Sequence, residues 1–180
     1  MYFVVYGFFY LISLLPFPVL YFFSDIIYFL LFYVFGYRRR VVKANLKTAF
    51  PEKSEEEIRK ISKQVYHNLT DTFMEIIKLI SMSEKTFNKR CKGDFSMIED
   101  LVKRGKNVQL HTGHQFNWEF GSLLMSKEIK TSATYAVYMP IKNTAVERLF
   151  LKIRQKYGTI FIKATEFRAK RESRCSVSGL

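Results

Sequence analysis

Cysteine is almost missing from this chain. Cys91 and Cys175 are the two it has, and they form no spacing framework. That excludes a disulfide-stapled fold and points to a reducing compartment. No Cys/His cluster has zinc-ligand spacing. Acid is the scarce charge: 16 Asp and Glu stand against 29 Lys and Arg, a net +13. Such an excess excludes a neutral, partner-indifferent surface and implies an anionic partner, whether phospholipid, acidic protein or nucleic acid. No internal repeat is present, which excludes a solenoid. A secretory leader is excluded too, because no positive start precedes the apolar N-terminal run and no small-residue cleavage site follows it.

What is abundant is aromatic side chain, 17% of the residues, much of it near the N-terminus. Tyr2 to Gly36 is almost wholly apolar, interrupted by Ser13, Ser24 and Asp25 besides glycine and proline. A bilayer core needs ~20 apolar residues in a helix. Pro16 and Pro18 fall inside the run, and proline ends or kinks a helix. A first helix ending near Leu15 and a second from about Ser24, capped by Ser24-Asp25, is the expectation. Phe and Tyr on every face favour lipid over a soluble hairpin. Residues 1–36 thus read as a membrane anchor, one kinked span with an interfacial second part. Arg38, Arg39, Arg40, Lys43 and Lys47 follow at once, and by the positive-inside rule they hold the next domain in the cytoplasm. Beside a lipid-seeking segment these charges suit phospholipid headgroups better than nucleic acid.

The 180 residues suffice for one domain with a core. Ser54 to Ile80 reads as a long helix opened by a capping box, Ser54 with Glu57. Ile58, Ile61, Val65, Leu69, Phe73, Ile76, Ile77 and Ile80 make its expected core face. His67, Asp71 and Glu75 share another face, read as solvated. Ser96 to Lys103 reads as a short helix closed by Gly105, followed by a strand over Val108–Leu110. Ser132 to Met139 reads as a second strand ended by Pro140. Asn143 caps a helix from about Thr144 to Tyr157, Gly158 closes it, and Thr159–Ile162 reads as a third strand. The order strand, helix, strand, helix, strand predicts an α/β fold with a mostly parallel sheet, preceded by the membrane helix or kinked helical pair and a helix-rich segment. After Lys163 the chain turns polar, basic and serine-rich, without a core period. Residues 168–180 read as an irregular tail.

Chemistry concentrates in Asn107–Met125, NVQLHTGHQFNWEFGSLLM, which holds two of the three histidines and the only tryptophan. His114 falls on a loop after a strand, where open α/β sheets place ligands. Glu119 comes five positions later. On one helix the two would point ~140° apart, but on a loop feeding a helix they can meet. Glu119 then fixes the imidazole tautomer while the other ring nitrogen takes a proton from an alcohol. Such general-base catalysis contributes roughly a hundred- to ten-thousand-fold in rate. Backbone N–H groups at the helix start favour a developing oxyanion. His111 is the rival base; it lacks a matching carboxylate and reads as structural.

Gly113-His114-Gln115-Phe116-Asn117-Trp118-Glu119 resembles the GHxxNWE block of the lipid A biosynthesis lauroyl and myristoyl acyltransferases. The likeness continues from the N-terminal segment to about Phe167. Tyr37-Arg38-Arg39, Val42, Asn45-Leu46 and Phe50-Pro51-Glu52 resemble one conserved region of that family. Tyr138-Met139-Pro140, Asn143, Arg154 and Gly158 resemble another. Met139 stands where a basic residue is usual, and Phe116 where a small one is. The resemblance implies an acyltransferase domain, its N-terminal part, over residues 37–167, in a chain cut short at the C-terminus. It implies His114 as base, Glu119 as its support, and Arg154, Asn117 and Gly113 around the substrate. It also implies an acyl-carrier protein as donor and a lipid A precursor as acceptor, at the cytoplasmic side of the cell inner membrane, with no cofactor and no nucleic acid. Without the resemblance, Arg154 reads as a cation at a helix end. Two other readings stay open: a membrane-anchored metal-dependent hydrolase using His111, His114 and Glu119, and a non-catalytic membrane-bound remnant.

Overall fold

The computed structural model describes residues 2–113 and 117–166. They pack as two compact units, one of Tyr10–Ser81 and one of residues 2–9 with 82–166. The tail at 168–180 lies outside the described residues.

The unit of Tyr10–Ser81 is helical. The helix α1, Tyr2–Leu14, ends into it, and α2, Phe17–Phe29, follows and continues as a π-helical end over Leu30–Val34. The break falls at Pro16, which adopts extended backbone before α2. The preceding residue is biased away from helix, so α1 stops close to where the proline pattern places the stop. Its last carbonyls are not left open. Lys78 Nζ donates to Ser13 and Leu15 carbonyls at 2.8 Å, and Ser81 Oγ donates to Ser13 at 2.6 Å. Burial holds the Lys78 ammonium below the ordinary lysine range. The second helix does not wait for Ser24. It starts at Phe17, because Pro18 in a first helical turn forfeits only an N–H that has no intrahelical partner anyway. Ser24 is therefore mid-helix and fully buried rather than a cap. Gly36 takes a left-handed backbone, φ +58°, and lets the Tyr37 N–H reach the Leu31 carbonyl at 3.0 Å.

Next come α3, Arg39–Ala49, and α4, Glu55–Lys78. The capping box forms as expected, with Glu57 N donating to Ser54 Oγ and Ser54 N to Glu57 Oε2. The buried face of α4 matches the expected one only in part. Ile58 and Ile76 are buried as expected, but Ser62, Tyr66, Thr70 and Met74 are buried with them, while Val65, Leu69 and Phe73 are exposed. The reason lies in α2, which packs along α4 and engages the supposedly solvated face. His67 Nε2 meets Asp25 at 2.9 Å and Tyr21 donates to Glu75 at 2.7 Å. Packing against α2 thus decides which face of α4 is covered.

The other unit holds α5, Glu84–Arg90, α6, Ser96–Lys103, α7, Trp118–Glu128, β1, Tyr135–Tyr138, α8, Thr144–Arg154, and β2, Ile160–Lys163. β1 and β2 pair in parallel with Tyr135 opposite Ile160, and α8 is the crossover. This helix-rich chain with a small parallel sheet is the anticipated α/β class. Asn143 caps α8 as its sequence suggests, accepting from the Ala145 and Val146 amides. Gly105 and Gly158, at φ +72° and +89°, close α6 and α8. Val108–Leu110 forms no strand among the described residues. A strand needs a ladder partner, and Val108–Leu110 pairs with neither free edge of the β1–β2 sheet. The core gathers Phe87, Phe120, Leu123, Leu124, Leu149 and Ile153, with the Phe87 ring stacked on Phe120 at 5.4 Å between centroids.

Candidate active site

The GHxxNWE block ends inside the first turn of α7, at Trp118-Glu119. Asn117 is its N-cap residue, and its carbonyl accepts from the Phe120 and Gly121 amides at 3.1 and 3.3 Å. Helix spacing then turns Phe120, Leu123 and Leu124 into the core. Because Glu119 precedes Phe120 on the same buried side, its carboxylate is carried inward and is 2% exposed. A buried carboxylate is costly unless paired and hydrogen-bonded.

The pairing comes from α8. Arg154 Nε lies 3.0 Å from Glu119 Oε1 and 2.9 Å from Oε2, and Nη2 also donates to Oε1. This is the two-pronged guanidinium–carboxylate geometry that gives the strongest protein ion pairs. Trp118 Nε1 donates to Oε1 at 3.1 Å. A carboxylate has about four lone-pair sites, so Oε2, which accepts from Nε, has capacity for a further donor. The Arg154 guanidinium lies 5.3 Å over the Phe150 ring. Helix ends add to the pair, with the acid in the first turn of α7 and the arginine in the last turn of α8.

Two buried hydroxyls tie this arrangement to the sheet. Ser126 on α7 and Thr159 before β2 are 2.5 Å apart. At the end of β1, Tyr138 donates to Glu147 of α8 at 2.9 Å, and desolvation first, then that carboxylate, pushes its hydroxyl above the usual tyrosine range. Cys91, under Phe120, is pushed up by burial, which leaves it an unreactive thiol.

The structure thus brings together Glu119 and Arg154, with Asn117 two positions before the acid. Gly113 and His111 lie in an exposed irregular stretch. His114 lies outside the described residues. Among the described residues no three His, Cys, Asp or Glu side chains gather to hold a metal. What sequence reading missed is that Arg154 and Trp118 share the carboxylate. A signal existed, since one acid and one arginine each sit within an apolar helical face, and charges buried that way pair.

Residues 1–169 match the family described as bacterial lipid A biosynthesis acyltransferase. The chain belongs to that family. No curated protein and no solved structure matches it significantly. Within the stretch that resembles the family's GHxxNWE block, the buried charge among the described residues is Glu119, paired with Arg154. A family acting on lipid A precursors also fits a chain with one helical stretch, Phe17–Val34, long and apolar enough to cross a membrane by length and composition.

Proposed function

We propose that the chain transfers a fatty acyl group from an acyl-carrier protein to a hydroxyl of a lipid A precursor, at the cytoplasmic face of the inner membrane. The observation that carries this reading is the Glu119 carboxylate, buried, clamped by Arg154, and five positions after His114. A carboxylate held so firmly is suited to orient a neighbour, and its Oε2 can accept an imidazole N–H. The second nitrogen of His114 takes the proton from the acceptor hydroxyl. The alkoxide attacks the thioester carbonyl, and the tetrahedral oxyanion forms against backbone N–H groups between Gly113 and Asn117. The C–S bond breaks, the ester forms, and the carrier thiolate leaves with the proton returned from the imidazolium.

Arg154 has a positioning role in this scheme. Its Nε and Nη2 are committed to Glu119, so only the Nη1 side can reach a substrate. The same engagement weighs against the metal-hydrolase reading, since an acid receiving guanidinium N–H bonds on both oxygens is poorly disposed to bind a cation. The basic surface, net +13, suits an acidic carrier protein and a phosphorylated glycolipid alike.

The test is acyl transfer by membranes carrying the full chain, from acyl-carrier protein to a lipid A precursor, read by mass spectrometry of the lipid. His114→Ala is expected to abolish product, and Glu119→Gln to reduce it strongly while the chain stays folded. Undiminished transfer by His114→Ala overturns the mechanism.

A further inference from the structure

A groove of about 270 Å³ lies within the unit of Tyr10–Ser81, between α3 and α4. Its walls are Val41, Val42, Val65, Tyr66 and Leu69, with Arg38 at its mouth and Tyr37 and Asn45 on the rim. The Tyr66 hydroxyl is already spent on the Tyr37 carbonyl, so the groove receives its ring. Val65 and Leu69 belong to the aliphatic stripe of α4 that is turned away from the core, at 39% and 37% exposure. A helix covered by water carries polar residues at such positions. We infer that this groove seats the end of one acyl chain of an anionic phospholipid, whose phosphate lies against Arg38.

Two observations choose this occupant. The first is position along the chain. The membrane-length apolar stretch ends at Val34, and Tyr37 and Arg38 come directly after it, an aromatic and a basic residue of the kind that mark headgroup depth. The second is charge. Lys43 and Lys47 are both bound by Glu55, and Arg39 lies over the Phe32 ring at 4.9 Å. Arg38, the cation that lines the groove, forms no ion pair among the described residues, so the anion that matches it comes from outside. The size decides how much of the lipid enters. Pockets that enclose a drug-sized ligand hold roughly 300–1,000 Å³, so this one takes a chain end and leaves the headgroup at the mouth.

The inference rests on the membrane reading of Phe17–Val34, and one experiment separates the two. The full chain is placed in nanodiscs of phosphatidylcholine containing phosphatidylglycerol with a diazirine in its acyl chain. After photolysis, adducts are located by peptide mass spectrometry. Adducts on Phe22, Phe23 and Ile26 report α2 in the bilayer. Adducts on Val41, Val42, Val65 and Leu69 report the groove. Val42→Trp, which fills the groove, is expected to drop the groove adducts to background and leave those on α2. Should that variant fail to fold, Val41→Glu, at a wall residue that is 44% exposed, gives the same result by repelling the phosphate. Arg38→Gln is expected to lower the preference for phosphatidylglycerol over phosphatidylcholine by about fivefold, the weight of one basic residue near an anionic surface. Adducts on α2 with none in the groove overturn the inference and leave the membrane reading standing. Adducts on neither sink both. Groove adducts that persist in Val41→Glu, or photolinked dimers joined through the groove, also overturn it.

Discussion

The helices α2 and α7 bury opposite things. α2 is the more apolar, yet Phe22, Phe23, Ile26 and Phe29 are 41–61% exposed, and Leu20 and Ser24 are the buried ones. α7 carries two acids and a lysine, yet it buries Glu119 along with Phe120, Leu123 and Leu124. Their ionisable groups differ in the same direction. Asp25 of α2 meets His67 with both side chains about half exposed, whereas Glu119 of α7, its side chain 3% exposed, meets an Arg154 side chain that is 21% exposed. Burial therefore follows the available partner rather than the hydrophobicity of the helix. The apolar face of α2 has no protein partner of matching size among the described residues, and lipid is the partner suited to it. α7 has a core to enter and an arginine to take its acid inside.

The sharpest way to break this comparison is to remove the arginine. Arg154→Ala is expected to cost about 3–5 kcal/mol in chemical denaturation, because it strands a buried carboxylate. His67→Ala, at the exposed pair, is expected to cost about 1 kcal/mol or less. Equal costs would mean that the two pairs are not different in kind. Next in size is the apolar contrast. Leu123→Ala on α7 is expected to cost about 2–5 kcal/mol by the cavity it leaves. Phe22→Ala on α2 is expected to leave stability within about 0.5 kcal/mol while weakening sedimentation with lipid vesicles.

A smaller effect is expected at the corner between α1 and α2. Lys78→Met removes the ammonium that holds two open carbonyls, and should cost about 1.5–3 kcal/mol. Hydrogen exchange at the amides of α1's last turn reads it locally. The smallest is the cap of α4. Ser54→Ala is expected to cost about 1 kcal/mol. The Ser54 backbone N–H, then its hydroxyl, hold the Glu57 carboxyl below the usual carboxylate range. The contribution of Glu57 is therefore present above the ordinary glutamate pKa of about 4.3 and is lost as pH falls through the depressed folded value. A thermal-denaturation series against pH should show the deficit of Glu57→Gln at neutral pH shrinking in acid. A deficit that stays constant would refute the cap.

Several features were legible because their causes are local. The helix break at Pro16, the capping box at Ser54, the Asn143 cap and the closing glycines at 105 and 158 each depend on neighbours within a turn of chain. The parallel pairing of β1 and β2 was legible from element order, because a helix between two short strands permits little else. The site was legible as a block of residues but not as a geometry. Nothing local pairs Glu119 with an arginine 35 residues away, or Asp25 with a histidine 42 away. The core face of α4 was misread for a related reason. Aliphatic spacing selects Val65, Leu69 and Phe73, but packing against α2 covered a different face.

By itself the sequence determined the family, most of the order of helices and strands, the excess of positive charge and the apolar run near the N-terminus. These depend on residue identity and on spacing of a few positions, where backbone geometry is the same in any surroundings. Only the tertiary structure decided which charges were buried, which partner each received, and which apolar face was left uncovered. Those outcomes depend on distances between residues far apart in the chain, set when helices pack and each desolvated polar group must find a counterpart.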